Sequence, residues 1–69
     1  MNVEEIKEYL TKRIDEKISE LLDLLEVLSN EINKEDWEAA AVTAYCIFWR
    51  LERICVFKEI LVRIDKDER

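Results

Sequence analysis

The sequence predicts an all-α protein, an antiparallel two-helix hairpin that self-associates into a four-helix bundle. Three observations carry this expectation. Glycine and proline are both absent from the 69 residues, so the chain lacks the usual residues of tight turns and Gly-rich loops and has no helix breaker. Two helix-start signals of the same form occur, at Asn2 and at Asn33. The second half of the chain is apolar on more than one side, which a lone hairpin cannot cover.

The first helix is expected near residues 3–29. Asn2 can cap it, with Glu5 completing a capping box and Met1 placed to staple over Ile6. One apolar stripe runs along it through Val3, Ile6, Leu10, Ile14, Ile18, Leu21, Leu25 and Leu28. Its steps average close to 3.6 residues, which favours straight rods. Glu5, Glu8, Lys12, Glu16, Ser19, Asp23 and Glu26 form the opposite, solvated face. Lys7 falls at the edge of the stripe, where its stem can lie beside Ile6 and Leu10 while the ammonium meets Glu59 or water.

The turn is expected near residues 30–33, with Asn30 standing in for glycine as the left-handed residue. The second helix follows near 34–66, capped by Asn33, boxed by Asp36 and stapled by Ile32 on Trp37. It is the longer of the two and should overhang. One stripe, Trp37, Ala40, Ala44, Ile47, Phe48, Leu51, Ile54, Cys55 and Val62, is expected to pack on helix 1. A second stripe, Val42, Tyr45, Trp49, Val56 and Ile60, lies more than a quarter turn away and is the expected oligomer interface. Pairing the helices about the expected turn sets Ala39, Ala40, Ala41 and Ala44 against Leu21, Leu22 and Leu25. The same register brings Lys58 near Glu4, Glu5 and Glu8, and Glu52 near Lys12 and Arg13.

Chain length supports the oligomer from another direction. A single domain of residues 1–69 is near the lower limit for a self-sufficient core and usually needs a disulfide, a metal or a second copy. Histidine is absent and there are two cysteines, so self-association is the staple that remains. Cys46 and Cys55 face opposite ways on one helix, which excludes a disulfide between them within the chain. Cys55 reads as a small core residue, and Cys46 as a buried thiol or one facing its symmetry mate.

Net charge is −6, from 17 acidic and 11 basic side chains. That balance argues against nonspecific attraction to nucleic acid or to anionic membranes. The longest nearly apolar run, residues 39–49, is too short to span a bilayer, and no signal pattern opens the chain. A cytoplasmic protein without a cofactor is the expectation. The charged fraction of 41%, with no glutamine or histidine, suits a heat-adapted source.

Three sequence patterns have chemical counterparts elsewhere. Glu4-Glu5-Ile6-Lys7-Glu8, followed by Glu20-Leu21-Leu22-Asp23, resembles the EExxE…ExxD carboxylate pattern of MazG-like nucleotide pyrophosphatases, which chelate magnesium between helices. Here both halves fall on one helix, their first residues roughly 24 Å apart along its axis, so one chain does not bring them to a shared metal. The segment from Arg13 to Leu25 resembles the first helix of the all-helical chorismate mutases, with Lys17 the only basic residue near its stripe. Residues 36–45 resemble one helix of tetratricopeptide or HEPN-type repeats, without an internal repeat to support them. Trp49 and Tyr45, with Arg50, Arg53 and Arg63, suggest base stacking and phosphate contacts or, with better fit to an acidic chain, a protein interface. The four-helix arrangement itself resembles that of Rop-type plasmid RNA-binding regulators. The functional expectation is a non-catalytic oligomerising module or small regulator whose partners are a second copy and an unidentified protein. A nucleic-acid-binding regulator is the alternative, and a metal-dependent nucleotide hydrolase is the third reading.

Overall fold

Helix α1 spans Val3–Asn33 and helix α2 spans Trp37–Asp67, 31 residues each. In the computed structural model, which describes residues 2–67, they lie antiparallel in a rod of 51 × 15 × 15 Å. The expected packing of Met1 on Ile6 falls outside the described residues. Equal lengths leave no overhang, contrary to the expectation of a longer second helix.

The start of α1 follows its local signal. The Asn2 side-chain oxygen accepts the Glu5 N–H at 2.8 Å, and the Asn2 amide donates to Glu5 Oε1 at 3.1 Å. This satisfies one of the free donors that every helix N-terminus exposes.

The turn lies later than expected. Asn33 does not cap α2 but is the last residue of α1, which runs four residues beyond the predicted end. The helix closes in a Schellman motif. The Glu35 N–H donates to the Ile32 carbonyl at 3.0 Å, and the Asp36 N–H donates to the Glu31 carbonyl at 3.0 Å. Glu35, not Asn30, is the left-handed residue, with φ of 57°. Asp36 then caps α2, its Oδ1 accepting the Ala39 N–H at 3.2 Å. One residue thus ends the first helix and begins the second, which explains so short a connection.

That displacement moves the register. Among the described residues, two ion pairs cross the seam: Lys7 Nζ to Asp65 Oδ1 at 3.0 Å and Arg50 Nε to Glu20 Oε2 at 3.0 Å. Each α1 residue therefore faces a partner roughly two helical turns farther along α2 than expected. A later end to α1 and a later start to α2 shift the pairing in the same direction, so their effects add. Counting from the two ion pairs sets Leu10 across from Leu61, Ile14 from Phe57, Lys17 from Ile54 and Leu21 from Arg50. Leu24 then faces Ile47, Leu28 faces Thr43 and Glu31 faces Ala40. Lys7 meets Asp65 rather than Glu59, which pairs with Arg63.

The seam positions step by three and four residues alternately, the seven-residue repeat that keeps one stripe against its partner along a supercoil. On α1, Ile6, Leu10, Ile14, Leu21 and Leu28 face inward as expected, but Val3, Ile18 and Leu25 are exposed and Lys17 and Leu24 take seam positions. On α2 the correction is larger. Ala40, Ile47 and Ile54 are inward, while Trp37, Ala44, Phe48, Leu51, Cys55 and Val62 are exposed. Thr43, Arg50, Phe57, Leu61 and Ile64 occupy the seam instead. Cys55, expected in the core, is exposed accordingly, while Cys46 is half-buried, and both are free thiols.

Buried residues are few. Among the described residues, only Leu10, Ile14, Ala40, Thr43 and Ile47 reach the interior, and no large side chain is completely enclosed. Glu31 Oε1 is buried beside the turn without a hydrogen-bond partner, a cost at the end of the seam.

The turn geometry has a direct test in chemical denaturation. Asp36→Ala should destabilise by about 1 kcal/mol through loss of the cap. Asn33→Ala, inside a helix, should change stability by less than about 0.5 kcal/mol. Glu35→Gly should stabilise by about 1 kcal/mol, because glycine adopts the left-handed conformation without strain. A larger loss at Asn33 than at Asp36 would return the helix start to its predicted place.

Candidate interaction faces

Antiparallel pairing sorts the exposed residues onto two sides. Residues one step after a seam position fall on the same side on both helices, and residues one step before fall on the other. The two sides differ in chemistry.

The side one step before the seam is mixed. Trp49 lies here with Val42, Val56 and Ile60, four of the five residues expected at an oligomer interface, and all four are exposed. Tyr45 sits farther round the back of α2 and is 70% exposed. Three cations surround the Trp49 ring: Lys17 Nζ at 5.5 Å, Arg50 Cζ at 5.8 Å and Arg53 Cζ at 5.2 Å from its centroid. Each such contact is worth roughly 0.5–1 kcal/mol at an exposed site. Glu20 supplies the compensating charge, accepting from Arg50 at 3.0 Å and Lys17 at 3.5 Å. Arg50 also donates to the Cys46 carbonyl at 3.3 Å.

Lys17 and Arg50 belong to the seam, and their side chains are only 13% and 24% exposed. Both heads leave the seam on the Trp49 side, while their stems fill seam positions. A period-based reading misses them, because it assigns charged residues to the solvent. The usable signal is that Lys17 and Arg50 continue the alternating three- and four-residue spacing of their apolar neighbours.

The opposite side is almost purely apolar. It carries Ile18, Leu22, Leu25 and Ile32 from α1, with Trp37, Ala41, Ala44, Phe48, Leu51, Cys55 and Val62 from α2. Leu22, Trp37 and Phe48 are each at least 60% exposed. From the turn to Ile18 and Cys55 the face holds no charge. Asp15 and Lys58 then stand across from each other, and Glu8 and Asp65 follow at the open end.

No pocket opens among the described residues. The carboxylates of the pyrophosphatase-like pattern do not converge: Glu5 bonds Asn2, Glu4 approaches Lys7 at 3.9 Å and Glu20 holds Arg50 and Lys17. Among the described residues no group of three or more metal-binding side chains comes together. Of the arginines expected to meet phosphates, Arg50 is tied to Glu20 and Arg63 to Glu59 at 3.0 Å. No helix among the described residues is long and apolar enough to cross a membrane. The chain matches no known protein family, no curated protein and no solved structure.

Glu20 gives the polar cluster a pH signature. Desolvation pushes its carboxyl up, but the hydrogen bond from Arg50 and the charge of Lys17 outweigh this and hold it below the ordinary glutamate range. A depressed carboxyl contributes stability above its unfolded pKa and loses it as pH falls through the folded value. Glu20→Gln should therefore lower the thermal midpoint at pH 7, with the gap to the parent protein closing as pH falls below the ordinary glutamate range. A gap that persists unchanged in acid would assign the effect to shape rather than charge.

Proposed function

We propose that the protein is a non-catalytic self-associating module whose first partner is a second copy of itself, the two hairpins forming a four-helix bundle. The observation that carries this reading is the surface the hairpin leaves open. An ordinary folded monomer of 8.3 kDa exposes roughly 4600 Å². This chain exposes 5451 Å², an excess of about 850 Å². A seam burying five of the described residues is a thin core for a chain with this much backbone to order. Association supplies the missing burial.

Other readings have less support. Nucleic-acid regulation through Arg50, Arg53 and Arg63 needs free cations, and two of the three hold carboxylates within 3.0 Å. Nucleotide hydrolysis needs carboxylates gathered from separate elements, whereas Glu4, Glu5, Glu8, Glu20 and Asp23 all lie along α1. An oligomeric helical scaffold with an acidic exterior suits a small regulator that acts through protein contacts.

Sedimentation equilibrium at micromolar concentration tests the reading. The expected mass is twice the chain mass of 8.3 kDa. A folded, cooperatively melting species of one chain mass would overturn it.

A further inference from the structure

We infer that the second copy docks on the face bearing Leu22, Leu25, Phe48 and Leu51, with the Trp49 flank left outward. The inference rests on the self-association just proposed and names the surface that performs it.

Area points to a copy of this chain. The hairpin's excess of about 850 Å² matches the roughly 800 Å² that each partner buries in a standard stable interface. Charge points the same way. Each chain carries −6, so two copies repel unless the contact face is free of that charge. The Phe48 face satisfies this condition along most of its length, since the stretch nearer the turn has neither sign and Asp15 is balanced by Lys58. The remaining acids, Glu8 and Asp65, lie at the open end, where Asp65 is paired with Lys7. Between the turn and Ile18 a partner of opposite charge would find nothing to pair with, whereas a second apolar face of the same kind fits it.

Packing separates the two sides. Trp49 already has three cations against its ring, and Glu20, Arg50 and Arg53 lie around it. Covering that flank would desolvate at least three charged groups with one carboxylate among them. Phe48 and Leu22 carry no such burden, and both helices contribute apolar side chains around them. Joining the faces would convert two seams into one continuous core, each helix buried on two adjacent sides.

The test compares Phe48→Glu with Trp49→Glu in the full chain, by sedimentation and circular dichroism. Phe48→Glu should halve the mass, with or without loss of helicity, and Trp49→Glu should remain at two chain masses. The wild-type thiols give a readout independent of any folding defect. In a lone hairpin Cys55 is exposed and Cys46 half-buried, so iodoacetamide would reach Cys55 first. Docking on the Phe48 face covers Cys55 and reverses that order, which mass mapping of the alkylated peptides reads directly. Loss of the dimer in Trp49→Glu but not in Phe48→Glu would overturn the assigned face while leaving self-association intact. Where both variants dissociate, Cys55 reacting before Cys46 in the native dimer overturns the assignment and the reversed order upholds it. A folded wild-type chain of single mass would instead remove the self-association on which the inference stands.

Discussion

A helix in a two-helix hairpin can bury one stripe, the set of positions that recurs every seven residues against its single neighbour. Everything else about this molecule follows from how little apolar surface that stripe accommodates. The seam of α1 and α2 absorbs Leu10, Ile14, Ala40 and Ile47 almost completely and half-buries most of the rest. Ile18, Leu22, Leu25, Phe48, Leu51 and Val62 remain outside it. These residues are not scattered. Antiparallel pairing places them on one side, so the hairpin has a finished seam and an uncovered face beside it.

The seam is also interrupted by charge. Lys17 and Arg50 occupy adjacent layers near its middle, and Glu20 holds Lys17 along its own helix and Arg50 across the seam. Such groups contribute little net stability, because desolvation offsets the attraction. Their effect is on register. Sliding the helices by one heptad would carry Arg50 roughly 10 Å from Glu20 and leave a half-buried guanidinium without its carboxylate, while Lys17 keeps Glu20 on its own helix. The Lys7–Asp65 pair fixes the same alignment near the open end, and the Schellman turn with its Asp36 cap fixes it at the closed end. Alignment is thus set at three places along a seam whose apolar packing alone would tolerate a slip.

Much of this was legible in the sequence. Two helices, their antiparallel pairing, the Asn2 cap and most of the α1 stripe follow from composition, capping chemistry and period. The turn was harder, because Asn33 and Asp36 are comparable caps three residues apart and local grammar does not choose between them. The deciding element is a glutamate in the left-handed conformation at Glu35, a position where glycine would have announced the turn. The phase of α2 was hidden for a different reason. A helix apolar around most of its circumference has no single best stripe. The seam is chosen by a partner, and Lys17 and Arg50 lie in it against the usual rule for charges. An excess of apolar surface on α2 could be read, but its division between seam and open face needed the pairing.

In the self-association proposed above, stability and assembly are one property of this chain, since a second hairpin would cover the face that one leaves open. The thermal midpoint followed by circular dichroism across a wide range of protein concentration measures that coupling most directly. Under the proposed self-association the midpoint rises steadily with concentration, since association draws the folded state forward. A cooperative transition whose midpoint is the same at the lowest and highest concentrations would contradict it.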